Sequence, residues 1–219
     1  MTVLRMSALV CLLISSLALA GNPNKSDQGE NSGHIKYFGF FASDMSGLPE
    51  VIEEIQSFVN ITHVADPDIN EALRKVKRAK SLKIAVLFDV SNYFFHTIKN
   101  SRSTYELNEN YPDRWNNEIY AKVKPYVEDG TIVAFYTLDE PFSPKRLQGK
   151  KNLERAEILE KVAKVVKDKF PLTPIALTLG GDSYKGYVVP KYHDWIGLDD
   201  YDCWEVCKSG VSVPDRYNT

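Results

Sequence analysis

Two acids stand side by side at Asp139 and Glu140, where an apolar run from Thr131 to Leu138 ends, and Pro141 follows them. Carboxyls held that close cannot both ionise freely, so one keeps its proton near neutrality while its neighbour carries charge. The protonated member can donate to a leaving group, and an ionised one can attack or activate water. Acids recur at comparable places along the chain. Asp44 follows the run His34 to Phe41, Asp66 follows Asn60 to Ala65, and Asp89 lies near the end of Lys83 to Val90. Asp182 follows Pro174 to Leu179, and Asp199, Asp200 and Asp202 follow Trp195 to Leu198.

The runs that end in these acids read as strands, and the segments between them read as helices. Lys83 to Val90 is continuously apolar after its first residue up to Phe88, the pattern of a parallel strand buried on both faces. Pro49 opens a helix with Val51, Ile52, Ile55, Phe58 and Val59 facing inward. Asp68 with Glu71 reads as a capping box ahead of Ile69, Ala72, Leu73, Val76 and Ala79. Asp113 starts a helix carrying Trp115, Ile119, Val123, Tyr126 and Val127, and Gly130 stops it. Leu153 to Phe170 carries an apolar stripe at helical spacing. Strand and helix in alternation, with buried strands, mean an α/β fold with a parallel sheet and right-handed crossovers. An open doubly wound sheet and a closed barrel both satisfy that order. The dinucleotide-binding glycine pattern is absent after the first strand, where Gly39-Phe40-Phe41-Ala42-Ser43-Asp44 stands.

The acids favour the barrel. In a (β/α) barrel the strand ends converge on one rim, where active sites are built. Carboxylates gathered there suit hydrolysis of a glycosidic bond, which needs one acid for the leaving oxygen and one carboxylate to attack or to activate water. Asp66 and Asp68 flank Pro67 and read as turn and cap residues instead. Sugars bind against aromatic faces, and Tyr136, Tyr201 and Trp204 flank the acidic ends. The connection over residues 91–112 is long and holds Tyr93, Phe94, Phe95, His96, Tyr105 and Tyr111. Phe94 and Phe95 are expected to open a short helix and pack inward. His63 reads as a core histidine, and His96 and His193 have no nearby partner in sequence that argues for catalysis.

The stretch Phe135-Tyr136-Thr137-Leu138-Asp139-Glu140-Pro141 resembles the fourth-strand ending of the large clan of retaining TIM-barrel glycoside hydrolases, with Asp-Glu-Pro in place of their Asn-Glu-Pro. Asp194-Trp195-Ile196-Gly197-Leu198-Asp199-Asp200-Tyr201 similarly resembles a sixth-strand ending in these trans-glycosidases. The resemblance covers residues 34–205 as a pattern, and its most specific part is Leu138-Asp139-Glu140-Pro141. It implies that Glu140 is the general acid/base. Asp139 takes the place of the Asn that orients a sugar 2-hydroxyl. The clan's nucleophile is a Glu ending a seventh strand, and the chain after Cys207 holds only Lys208 to Thr219. An incomplete barrel with about six of eight β/α units is therefore expected. Asp199, Asp200 and Asp202, and next Asp89, are the substitutes for the second carboxylate. Its open sheet edges are an expected route to self-association. The expected function is a glycoside hydrolase-like protein acting on a saccharide, inactive if the truncation is real. The alternative is a non-catalytic carbohydrate-binding protein on a degenerate barrel, and a metal-assisted phosphodiesterase using the same acids is a third reading.

Composition sets the frame. Arg5, the apolar run Ala8 to Leu19 and the small-x-small triplet Ala18-Leu19-Ala20 read as a signal peptide over residues 1–20, so a secreted or periplasmic protein is expected. The run is shorter than the ~20 residues of a membrane span, and no membrane association is expected after cleavage. Residues 21–33 read as a flexible leader, 34–207 as one barrel-like domain and 208–219 as a tail. Without residues 1–20, 26 basic residues face 29 acidic ones, a balance that excludes a nucleic-acid footprint. Cys203 and Cys207 are spaced for either a small disulfide or two thiols. Asn60-Ile61-Thr62 fits a glycosylation sequon but falls inside a strand. Zinc, serine-nucleophile and phosphate-loop motifs are missing, so no metal and no cofactor are expected.

Overall fold

The computed structural model describes residues 11–14, 36–40, 44–45, 51–99, 101, 103–180 and 187–199, with backbone only at 11–14, 44–45 and 198–199. It divides into two compact units. One draws on the chain up to Phe88 and on Val123–Val133, the other on Asp89–Lys122 and on the chain from Ala134.

In the first unit, β1 (Cys11–Ile14) pairs antiparallel with β2 (Tyr37–Phe40). The pairing includes residues of the expected signal segment. The short β3 (Asp44–Met45) pairs parallel with β4 (Ile61–Ala65), so Asp44 lies within a strand and not beyond one. β4 in turn pairs parallel with β5 (Ala85–Asp89) along Ile61 to Val64. Every residue of β4 is buried, His63 included, as a strand covered on both faces requires. The Asn60 side chain tends β2: its amide donates to the Lys36 carbonyl at 2.8 Å and its carbonyl accepts the Phe38 N–H at 2.7 Å. Helix α1 (Ile52–Ile55) is a single turn shorter at its start than the proline suggested. It buries Ile52 and Ile55, while Phe58 beyond it stays exposed against Phe40.

Helix α2 (Ile69–Ser81) begins where Asp68 accepts the Asn70 N–H at 2.8 Å, a helix cap. The other half of the expected capping box is not made. Glu71 pairs with Arg74 one turn on, at 2.8 Å. Ala72, Val76 and Ala79 are buried at helical spacing, and with them Lys75, whose ammonium meets Asp66 at 3.1 Å. Asp66 also accepts the Asp68 N–H at 3.0 Å, so it serves turn and ion pair together. The helix stops at Lys83, which has φ 59° in a seat glycine usually takes. Its N–H bonds Lys80 and that of Ile84 bonds Ala79, closing the last turn.

The second unit contains the long connection after β5, and it is structured. Helix α3 (Ser91–Phe94) leads straight into a hairpin of β6 (Phe95–Thr97) with β7 (Tyr105–Leu107). Phe94 and Phe95 are buried as their apolarity demands. Helix α4 (Tyr111–Arg114) passes through a π-helical turn, Trp115–Ile119, into α5 (Tyr120–Glu128), whose second half belongs to the first unit. The fourth long strand, β8 (Ile132–Asp139), is followed by α6 (Asn152–Lys169), then β9 (Ile175–Gly180) and β10 (Trp195–Asp199). From Ala134 on, β8 runs parallel with β9, and β9 with β10. Glu154 reaches back to the Lys151 N–H at 2.7 Å to hold the start of α6. The inward face of α6 is Ala156, Leu159, Val162, Ala163 and Val166, whereas Leu153, placed in that stripe by spacing, is 59% exposed in the first turn. Trp115 centres an aromatic core with Phe94, Phe135 and Phe170 at ring separations of 5.4, 5.7 and 6.3 Å. The fold is thus α/β, with parallel strands and helices alternating as in an incomplete (β/α) barrel.

Candidate active site

Strand β8 would ordinarily send Tyr136 and Asp139 to opposite faces, because side chains alternate along a strand. A bulge prevents that. Tyr136 pairs with Ala176 and Asp139 with Thr178, so three steps on β8 match two on β9. Tyr136 and Asp139 therefore lie on one side, and the Tyr136 hydroxyl donates to Asp139 Oδ1 at 3.1 Å. The next residue, Glu140, has φ 45°, a left-handed backbone rare outside glycine. It precedes Pro141, whose ring already bars the residue before it from the ordinary helical region. Its carbonyl accepts the Ser143 N–H at 2.9 Å, which starts the turn after the strand.

That kink lays the Glu140 side chain across the end of β9. A methyl group built on Gly180 would lie 1.7 Å from Glu140 Oε1 and 2.2 Å from its carboxyl carbon. Glycine is what leaves the carboxyl its room. Arg146, from the turn-rich segment after β8, reaches Asp139 Oδ2 at 2.6 Å and Glu140 Oε2 at 3.9 Å. Its carbonyl accepts the Tyr105 N–H at 2.7 Å, and its guanidinium stands 5.8 Å from the centre of the Tyr105 ring.

Both tyrosines feel the surrounding charge. Burial pushes the Tyr136 phenol well above its usual range, and Asp139 adds to this, as does Asp89; the nearby Thr178 hydroxyl works the other way. Burial also raises Tyr105, with Arg146 opposing and Asp89 and Asp139 reinforcing. The two phenols keep their protons, and the Tyr136 hydroxyl is a fixed donor to Asp139.

Asp139 and Glu140 share Arg146, which lies over Tyr105, Tyr136 bonds Asp139, and Asp89 is within electrostatic reach of both tyrosines. Asp89 is buried and accepts the Ser91 N–H at 2.7 Å, which turns the chain into α3. Tyr136 is 1% exposed, so it offers the site a hydroxyl and not a ring face. Asp199 stands opposite Gly180 in the β9–β10 register. Asp200, Tyr201, Asp202 and Trp204 lie outside the described residues, as do Asp182, Cys203 and Cys207. Arg146, Tyr105 in its contact with Arg146, and Gly180 are the members that sequence reading missed as site residues. Only the glycine, at the end of an apolar run, carried a visible sign. Among the described residues no group of three His, Cys, Asp or Glu is placed to hold a metal ion, and no helix is long and apolar enough to cross a membrane.

The histidines have partners that their sequence neighbours did not reveal. His96 Nδ1 lies 2.8 Å from Asn108 on the exposed hairpin, with Glu106 at 3.7 Å. His193 Nε2 lies 2.9 Å from the Thr137 hydroxyl, and Nδ1 is buried with no hydrogen-bond partner among the described residues. Burial lowers the His193 imidazole to about 4; Lys167 acts in the same direction and Asp194 against it. The unfolded chain, with an ordinary value near ~6.5, takes up this proton first. The stabilisation is therefore whole above about pH 6.5 and is lost as pH falls towards 4, a loss of roughly 3 kcal/mol. Urea midpoints at pH 7 and pH 4.5 should differ less in His193→Gln than in the parent protein. An equal difference in both would remove His193 from the acid response.

No family model matches the chain, and no curated protein matches it. Among solved structures it is similar to one of two fungal β-1,4-galactanases, with a TM-score of 0.42 and 17% identity over 59% of this chain and 45% of that one. It is also similar to a β-glucosidase from Exiguobacterium marinum, with a TM-score of 0.37 and 17% identity over 60% of this chain and 36% of that one. The chain spans less than half the length of either.

Proposed function

We propose that this chain is a secreted, glycoside hydrolase-like protein in which Glu140 protonates the leaving oxygen of a glycosidic bond. The observation that carries the reading is the unequal treatment of the two adjacent acids. Asp139 has a guanidinium at 2.6 Å on one oxygen and a tyrosine hydroxyl at 3.1 Å on the other. Glu140 stands 3.9 Å from the same guanidinium, on a left-handed backbone and over a glycine. Backbone held in so sparsely populated a region concentrates at functional sites. In this reading the carboxyl proton of Glu140 passes to the departing oxygen as the anomeric C–O bond breaks. Water supplies the incoming oxygen, directly or through a carboxylate adduct. The second carboxylate comes from Asp199, Asp200 or Asp202, or from Asp89. Asp139, engaged on both oxygens, orients substrate hydroxyls, with Tyr201 and Trp204 offering ring faces to the sugar.

The engagement of Asp139 also supports a second reading, a carbohydrate-binding protein without turnover, because it withdraws the acid nearest to Glu140 from nucleophilic duty. Incubating the purified protein with a panel of β-linked oligosaccharides, and following both reducing ends and binding heat, separates the two. Release of reducing ends is the expected result. Binding heat without release establishes the second reading, and neither signal across the panel defeats both.

A further inference from the structure

We propose that Arg146 is the positioning residue of this site: it clamps Asp139 in one place and splits the adjacent acid pair into a held carboxylate and a proton-exchanging one. The assignment of the exchanging role to Glu140 rests on the function proposed above, whereas the clamp itself does not.

The geometry of Arg146 is that of a fixed part. Its N–H donates to the Ser143 carbonyl at 3.0 Å, and its own carbonyl accepts from Tyr105 at 2.7 Å, so the backbone is tied on both sides. Its side chain is largely buried, and its guanidinium lies over the Tyr105 ring. From there it can satisfy one acid closely and the other only at a distance. It chooses Asp139, by more than an ångström. Tyr136 completes the choice, because its buried hydroxyl donates to the remaining Asp139 oxygen.

The balance of charge gives the clamp its consequence. Facing the guanidinium are Asp139, Glu140 and Tyr136 from β8 and the segment that ends it, with Tyr105 from β7; Asp89 at the end of β5 is within electrostatic reach of both tyrosines. The phenols are neutral, so the guanidinium answers the charge of the two adjacent acids. With Arg146 in place Asp139 is favoured as a carboxylate, and Glu140 feels that negative charge partly offset. Removing the guanidinium takes one positive charge from beside Asp139 and Glu140, so Glu140 holds its proton more tightly.

The test is a carboxyl titration by ¹³C NMR on the full chain labelled at Asp and Glu. In Arg146→Gln the Glu140 carboxyl should titrate about one pH unit or more above the parent, and Arg146→Lys should restore most of the difference. Asp139→Asn keeps the cation and removes its preferred partner, so there the Glu140 titration should fall; this variant reports even if Arg146→Gln does not fold. Where turnover of a glycoside is measurable, the alkaline limb of kcat/KM moves with the titration. Unmoved titrations in folded Arg146→Gln and Asp139→Asn overturn the clamp, as does Arg146→Lys behaving like Arg146→Gln. Shifted titrations with no turnover of any saccharide retire the hydrolase reading and leave the clamp standing. Turnover with unmoved titrations does the reverse.

Discussion

Glu140→Gln should lower kcat/KM for an unactivated glycoside by about 10³-fold or more while leaving the thermal midpoint close to that of the parent. General acid catalysis by a placed side chain accounts for about 10²–10⁴-fold, and the amide has the shape of the acid without its proton. The backbone seat is the same for both residues, so the left-handed φ of 45° is neither relieved nor worsened. Substrates with acidic leaving groups need less help with protonation and should lose less. Steady-state kinetics on a natural and an activated glycoside, with a melting curve on each protein, check all three expectations. Equal losses on both substrates would mean that residue 140 acts by something other than proton donation.

Gly180→Ala should behave in an informative way, because activity and stability part company. The new methyl would overlap the Glu140 carboxyl at 1.7 Å, and the atoms it meets are the far end of a flexible side chain. The glutamate can swing aside at little cost, and Gly180 does not have the positive φ that would strain alanine. Alanine also restricts the unfolded chain, so the stability change should be within about 1 kcal/mol of zero. The carboxyl, however, is moved by more than the ångström that costs a catalytic group roughly 10²-fold in rate. A folded, equally stable and nearly inactive variant is the expected outcome. Retention of full activity would show that Glu140 works from some other position.

Much of the scaffold was legible because burial writes itself into periodicity. The strands expected over Asn60–Ala65 and Pro174–Leu179 form at Ile61–Ala65 and Ile175–Gly180, both fully buried, and the stripe from Ala156 to Val166 matches the inward face of its helix. The exceptions follow physical lines. Leu153 and Phe58 lie at helix ends, where helical spacing no longer dictates which side is covered. The segment from 91 to 112 has too few residues in each of its pieces for any period to show, so its hairpin was hidden, and the short helix expected to open at Phe94 and Phe95 ends at Phe94 instead.

The site was legible only in half. Asp139 and Glu140 announce themselves as a pair that ends a strand and precedes a proline. Arg146 does not, because it sits in a turn-rich stretch where a single arginine is an ordinary surface residue. Its importance comes from being pinned by Tyr105, which lies 41 residues earlier in the chain. Gly180 is visible as a glycine, but the carboxyl above it belongs to another strand. Contacts of this kind are tertiary, and no local pattern encodes them.

The extra residue in β8 has a consequence for how such motifs are recognised. Consecutive side chains on a regular pleat look away from each other, so an acidic doublet normally delivers one member to any given side. Here the inserted step sets Asp139 on the side of Tyr136, the reversed hand at Glu140 then breaks the alternation between the two acids, and both reach the same guanidinium. A strand with the same letters and an unbroken pleat would hide one of the two, and would be a different site under an identical spelling.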